Sequence, residues 1–505
     1  MQTNTTYPQV LIIGAGIGGI ATAARLARRG CQVTVLEKNE IPGGRVGQFK
    51  LAGYTFDTGA TLMLMTEVYA ETFAALGERL QDHLDLRRVD PTYHLYFPDR
   101  SQMQLTHDMD SMRNQLESIE PGSFERMQRY LAEGRRIYDL SLPNLVGRDF
   151  RTLTDFINPR MLLLFSRLKA ASRHTAYAGR FFKDPRLLMA FTFQDMYMGL
   201  SPYESPATYS LMPATELADG VWYPMGGLYR VAAALTAIAE KLGVEFIYNA
   251  HVEQILIDGE RATGVKLADG RVFKAAAIVA NADLGYVYRK LLPDRAVSKR
   301  LDRREYGCST IMFYWGLDRQ YPQIGPHNLF LNGDYRQSFE AIFKHKGMPE
   351  TPNFYIHAPA RIDPSMAPAG HDTWYVAVPV GHVDEFDNEK EGETNKFWHS
   401  MQHKARAYIL KRLGELGIPE VESHIVEELS FVPQWWQNRY NLTKGSTHGL
   451  SHKLTQMAYL RPHNRHNRYH NLYFVGASTH PGTGVPTVLI SARLAAERIL
   501  EEKPF

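Results

Sequence analysis

The stretch Gln9-Val10-Leu11-Ile12-Ile13-Gly14-Ala15-Gly16-Ile17-Gly18-Gly19 runs on through small residues to Arg28-Arg29-Gly30 and then Cys31-Gln32-Val33-Thr34-Val35-Leu36-Glu37. Its opening five residues are a short apolar run suited to a buried strand. Gly18 to Arg29 has the composition of a helix that ends on basic residues and a glycine stop, and Cys31 to Leu36 reads as a second strand. Between strand and helix, Gly14, Gly16 and Gly19 fit the pattern G-x-G-x-x-G. Glycines so placed allow a tight turn, close approach of the backbone to a pyrophosphate and close helix packing, while the helix start offers free N–H groups to the anion. Glu37 follows Gly19 by 18 residues and precedes Lys38, at the strand end where a carboxylate accepts hydrogen bonds from ribose hydroxyls. This order predicts a βαβ dinucleotide site rather than a glycine-rich packing turn.

Working outward, a second block opens at Gly226-Gly227 with a helix predicted over Leu228 to Leu242, stopped by Gly243. Short strands follow at Val244 to Tyr248, His251 to Ile257, Thr263 to Leu267, Val272 to Phe273 and Ala277 to Ala280, with turns at Asp258-Gly259 and Asp269-Gly270. They read as a meander that feeds a strand back into the first sheet. The third block is terminal: a strand at Leu472 to Val475, a loop from Gly476 to Gly484, and a helix that Pro486 starts and that runs to Glu502. Two insertions separate the blocks. One, about 145–215, is helical and rich in Leu, Phe, Met and Arg. The other, about 300–460, has β-like runs at Thr310 to Trp315, Asn353 to His357 and Trp374 to Val378, with Pro379 expected to close the last, and a helix near Lys396 to Leu416.

Composition narrows the class. A length of 505 residues allows roughly three domains at about 150 residues each, or one large unit with insertions. The balance of 57 basic against 54 acidic side chains, net +3, lacks the basic footprint of a nucleic-acid binder, so no nucleic-acid partner is expected. Two distant cysteines, Cys31 and Cys308, exclude a disulfide framework and point to a cytoplasmic protein with reduced thiols. His448, His452, His463, His466 and His470 have spacings that share no single helical face, and Pro462 interrupts them, so no metal site is expected. No signal peptide is expected, and the aliphatic runs fall far short of the roughly 18–20 residues of a membrane span.

Further signals narrow the type of dinucleotide. Gly43-Gly44-Arg45 is a second glycine turn with a cation able to reach a pyrophosphate or ribityl group. Tyr54-Thr55-Phe56-Asp57-Thr58-Gly59 follows, and Phe474-Val475-Gly476-Ala477-Ser478-Thr479-His480-Pro481-Gly482-Thr483-Gly484-Val485-Pro486 leads into a helix N-terminus. With these go Ser205-Pro206-Ala207 and Tyr209-Ser210-Leu211, Gly220-Val221-Trp222-Tyr223-Pro224 with Gly226-Gly227, Gly445-Ser446 with Gly449-Leu450-Ser451-His452, Gln456, and Arg461-Pro462-His463-Asn464. Over nearly its whole length the chain resembles the carotenoid (phytoene) desaturase family, bacterial phytoene dehydrogenase-like flavoproteins of the amine-oxidase-like superfamily.

That resemblance implies an α/β architecture: a discontinuous Rossmann-like FAD-binding domain (1–100, 216–298 and 465–505), an inserted mixed β-sheet substrate domain (101–145 and 299–464) and a helical, membrane-associating segment (146–215). It implies FAD with its ADP half on the fingerprint Gly14, Gly16 and Gly19 and on Glu37, beside Lys38, with Val252 at the adenine, Gly44 and Arg45 at the pyrophosphate or ribityl region, Gly476 towards the ribityl chain, and Val485 and Pro486, after Gly484, at the flavin ring. A helix N-terminus there would stabilise negative charge on the reduced ring. Many relatives in the superfamily carry an acid after the C-terminal glycine, where this chain has Ala477. That difference favours the carotenoid branch.

The implied reaction is desaturation of a C40 or C30 carotene such as phytoene. Alternatives are a carotenoid isomerase or oxygenase of the same family, and, in another class, a non-catalytic carotenoid- or flavin-binding protein. With a single fingerprint and none for a pyridine nucleotide, oxygen or a quinone is expected to reoxidise the flavin. Arg160 to Arg186 carries seven cations against Asp184 alone, amid Leu162, Leu163, Phe165 and other apolar residues. Such a stretch suits peripheral contact with an anionic membrane surface, with an ordinary packed helix as the alternative. No catalytic side chain is identifiable; Asp195, Glu204 and Glu216 are candidate proton acceptors, and structural or surface roles are the competing explanation for each.

Overall fold

The computed structural model describes residues 8–292, 294–383 and 391–504. Gln9–Ile13 is the middle strand of a five-stranded sheet, parallel throughout. To one side of it lie Ala277–Ala280 and Leu472–Phe474, and to the other Gln32–Leu36 and Glu245–Ile247. Both faces are covered, which is why its central strands are apolar without alternation. Val10 and Ile12 face one core, shared with the helices Ile17–Arg28, Tyr229–Lys241 and Val485–Glu502. Leu11 and Ile13 face a second, formed with the antiparallel strands Val252–Asp258 and Arg261–Leu267. The three predicted blocks therefore converge on one sheet, and the meander returns through Ala277–Ala280 as its spacing implied.

A second sheet of seven strands is mixed. Its order is Ile425–Phe431, Ser309–Leu317, Asp372–Val380, Phe354–His357, His327–Phe330, Tyr93–Tyr96 and Gln102–Leu105, and only the pairing of His327–Phe330 with Tyr93–Tyr96 is parallel. The chain thus enters this sheet at Tyr93, seven residues before the boundary expected at 100. Pro379 does not end its strand. It pairs with Thr310 and the strand continues to Val380, because the neighbour on the other side, Phe354–His357, stops pairing at Ala377 and no donor is needed there.

The region expected to be helical breaks into short pieces, among them Leu153–Phe156, Pro159–Arg167, His174–Ala178 and Pro185–Ala190. Asn158 caps the second through Oδ1, which accepts from the Met161 N–H at 3.0 Å, and Pro159 opens it. Met161 and Leu164 turn inward, while Leu162 and Leu163 are 66% and 54% exposed. Among the described residues, no helix is long and apolar enough to cross a membrane.

Candidate functional site

The glycine turn is built so that nothing larger fits. Gly14 has φ +97°, and its N–H donates to the Leu36 carbonyl at 2.8 Å. A Cβ on Gly19 would stand 2.1 Å from the Gly14 carbonyl oxygen. Asn281, directly after the strand Ala277–Ala280, braces the turn from the next strand, its Nδ2 donating to the Gly14 carbonyl at 3.1 Å. The second glycine turn docks on the first, the Gly43 N–H donating to Ala15 at 2.8 Å. Glu37 is buried and accepts from the Ala15 N–H at 2.7 Å and the Asn39 N–H at 2.8 Å. Burial outweighs those two bonds and raises its pKa. Lys38 Nζ donates to the Asn438 carbonyl at 2.8 Å and Asn441 Oδ1 at 3.0 Å, and burial brings it down to about 8. Its role here is to hold the segment around 438–441 against the turn.

The C-terminal loop meets this turn across the sheet. Gly484, with φ +112°, precedes the helix Val485–Glu502, whose Pro486 lies in the first turn. Arg45 Nη1 donates to the Thr447 carbonyl at 2.6 Å, which ties the second glycine turn to the 445–452 motif. Sequence reasoning passed over how the loop is held. Arg461, 1% exposed, donates to the carbonyls of Leu450, Ser451, Gln456, Ala477 and Thr479. Burial lowers it to about 10. Asn464 Nδ2 donates to Phe474 at 3.2 Å and to His480 at 3.1 Å. Both residues lie in the quoted Arg-Pro-His-Asn motif, whose purpose is therefore to fix this loop. Asp283, also missed, accepts from Ser478 Oγ at 2.7 Å and from the Thr443 hydroxyl, so a carboxylate does stand beside Ala477, supplied from another strand end. The signal for Asn281 and Asp283 was their place just beyond a predicted strand.

One cavity of about 580 Å³ joins these parts. Gly14, Gly16, Glu37, Lys38, Gly44, Arg45, Val252, Gly476, Gly484, Val485 and Pro486 line it; Gly19 lies beneath, against Gly14. Its walls continue past the dinucleotide end to Phe193, Met196 and Met212 of the helical region, Leu329 and Tyr375 of the seven-stranded sheet, and Phe339 of the helix Tyr335–Phe343. A cradle that a Cβ would fill, a buried acid beside it and a free helix N-terminus at the far side fit a flavin dinucleotide. The opposite end is chemically suited to a long apolar molecule.

The three candidate acids part company. Asp195 is fully buried and its carboxylate meets His174 Nδ1 at 2.9 Å, while His174 Nε2 meets the Tyr130 hydroxyl at 2.6 Å, and it does not line the cavity. Glu204 pairs with Lys453 at 3.0 Å nearer the surface. Glu216 is buried, its Oε2 bonded by Gln194 Nε2 at 3.1 Å and its carboxylate facing the Tyr197 hydroxyl. The histidines of the C-terminal third are taken singly: His452 Nε2 accepts from the Thr483 N–H at 3.0 Å, and His463 Nδ1 meets the Phe150 carbonyl at 3.0 Å. Among the described residues, no three His, Cys, Asp or Glu form a metal-ligating group.

Comparison with known proteins agrees with this geometry. A zeta-carotene-forming phytoene desaturase of Myxococcus xanthus is 46% identical over 503 residues, covering 99% of this chain and 95% of that protein. A 4,4'-diapophytoene desaturase of Staphylococcus haemolyticus is 34% identical, covering 98% of this chain and 99% of that one. The solved structure of a putrescine oxidase bound to putrescine superposes with a TM-score of 0.65 at 13% identity, covering 98% of this chain and 99% of that one, a likeness of fold. Residues 17–500 match the family model described as flavin containing amine oxidoreductase. With its glycine cradle, buried acid and C-terminal helix start arranged for FAD, the chain belongs to the flavin-containing amine oxidoreductase family.

Proposed function

We propose that this protein is an FAD-dependent carotenoid desaturase, acting on phytoene or a C30 relative. The observation that carries the reading is the single cavity that joins a dinucleotide cradle to an apolar, aromatic-walled chamber. Such a chamber orients a chain with no polar handle by shape alone and keeps water from the reacting bond. FAD, when bound, supplies a two-electron acceptor for hydride from an allylic CH–CH unit. The glycine turn and Glu37 would hold its ADP half, with Val252 against the adenine. Arg45, Gly44 and Gly476 would border the diphosphate and ribityl chain, and the free N–H groups at Val485 would stabilise negative charge near the ring. The full-length similarity to desaturases of both C40 and C30 carotenes supports the substrate class. Co-expression with a phytoene-producing pathway tests it: coloured, more conjugated products are expected, and unchanged phytoene would refute it.

The protein works at a membrane surface, where such a substrate resides. Leu153, Ile157, Leu162 and Leu163 are exposed on adjoining short helices held together by Phe156 against Phe165 at 5.4 Å. Along the same stretch Arg160, Arg167 and Arg173 are exposed and Lys169 is half-buried. Exposed apolar side chains interleaved in sequence with exposed cations suit the boundary between acyl chains and anionic headgroups. Oxygen or a quinone reoxidises the flavin. The proposed divisions are flavin-binding parts 1–100, 216–298 and 465–505, a substrate part 101–145 and 299–464 to whose sheet Tyr93–Tyr96 adds a strand, and the membrane-facing helices of 146–215.

A further inference from the structure

Desaturation leaves a proton to be disposed of in a chamber with few polar groups. On the wall contributed by the seven-stranded sheet and the helical region, Tyr93 and Tyr197 line the cavity with their hydroxyls in direct hydrogen-bond contact. Behind them lies Glu216, on the helix Leu211–Asp219, with its carboxylate within hydrogen-bonding reach of the Tyr197 hydroxyl. Glu216 Oε2 accepts from Gln194 Nε2 at 3.1 Å, and the rest of the carboxylate, shielded from solvent, faces the Tyr197 hydroxyl. A buried carboxylate held only by an amide and by a phenol that lines the cavity is costly to keep charged and points to a use.

We propose that Glu216 is the final acceptor of the proton released by desaturation, reached from the cavity through the hydroxyls of Tyr93 and Tyr197. The proposal rests on the desaturase reading above. Desaturation breaks two C–H bonds of the CH–CH unit. One hydrogen would depart with its electron pair as hydride, for which bound FAD would be the two-electron acceptor. The electron pair of the other becomes the new carbon–carbon π bond, and its proton remains. The Tyr93 oxygen takes that proton as its own passes to Tyr197 and that of Tyr197 passes to the carboxylate, so both phenols are regenerated and Glu216 ends neutral. Glu216 acts through the tyrosines and does not itself touch the substrate.

Burial raises the Glu216 carboxyl to about 7, where a proton can be both accepted and given up near neutrality. The groups that face it are Tyr93, Tyr197 and, across the cavity wall, Tyr355, all held well above ordinary phenol values by burial. Beyond Tyr93 stands His327, 5.8 Å away ring to ring and bonded to the Tyr355 hydroxyl at 2.6 Å. Burial keeps it neutral. Neither Asp195, bound to His174, nor Glu204, bound to Lys453, can serve.

Two measurements on Glu216→Gln test the role. In FAD-free protein, infrared titration from pH 5 to 9 should show a carboxyl band that disappears near pH 7 in the wild type and is missing in E216Q. In holoprotein mixed anaerobically with phytoene in lipid vesicles, the wild-type flavin-reduction rate should rise with pH through about 7. E216Q and Tyr197→Phe, with FAD still bound, should be slowed on the order of a hundredfold, E216Q without that pH limb. A wild-type rate in E216Q, a slowed E216Q that keeps the limb, or a titrating band that survives the substitution would overturn the proposal while leaving the desaturase reading intact. A wild-type flavin that no carotene reduces would overturn both.

Discussion

Arg461 shows how a single residue can carry a site it never touches. A fully buried cation normally faces a carboxylate, yet here five carbonyl oxygens share its N–H groups, and three segments of the C-terminal third are pinned to one point. Arg461→Lys offers fewer donors without the planar fork, so some carbonyls lose their partner at about 1–3 kcal/mol each. The melting temperature should fall and FAD content with it; a variant that melts and binds as the wild type would contradict this account. Glu216 makes the opposite contribution. Its carboxyl rises from 4.5 in the unfolded chain to about 7 when folded, so its contribution is fully present below about 4.5 and is lost as pH rises through 7. FAD-free E216Q should therefore gain on the wild type by roughly 3 kcal/mol between pH 4.5 and 8, read as a widening gap in melting temperature. A gap independent of pH would show that Glu216 titrates normally.

At the scale of elements, the first βαβ unit was fully legible, because a buried parallel strand, a glycine turn and a small-residue helix each leave a local signature. Gly19→Ala places a methyl against the Gly14 carbonyl, and FAD affinity should fall at least about tenfold, read from flavin absorbance of the purified protein. Full flavin content would refute the packing argument. The helical region was legible in composition only. Its prolines at 159 and 185 start helices and divide the stretch, so the basic, apolar segment became a cluster of short helices instead of one. Leu162→Asp with Leu163→Asp, or charge reversal at Arg167, Lys169 and Arg173, should each cut binding to anionic liposomes more than about tenfold. Unchanged sedimentation with vesicles would remove the membrane-facing role.

For the whole molecule, what the sequence withheld was pairing at long range. Nothing local in Tyr93–Tyr96 announces a parallel partner at His327–Phe330, and that pairing brings Tyr93 to the cavity wall beside Tyr197. Likewise Asp195, Glu204 and Glu216 look alike along the chain and differ only in what surrounds them after folding: an imidazole, an ammonium, or a buried amide and a cavity-lining phenol. The residues that line the glycine-rich end of the cavity, in contrast, were legible from motif and order, since the blocks that carry them hold glycines or an acid whose chemistry is local.

The central claim is that one cavity presents a carotene to FAD. Anaerobic mixing of holoprotein with phytoene in lipid vesicles, followed at the flavin absorbance band, tests it most directly. The account predicts bleaching of the band together with a product that has gained a conjugated double bond; a fully loaded protein whose flavin stays oxidised with every carotene offered would contradict it.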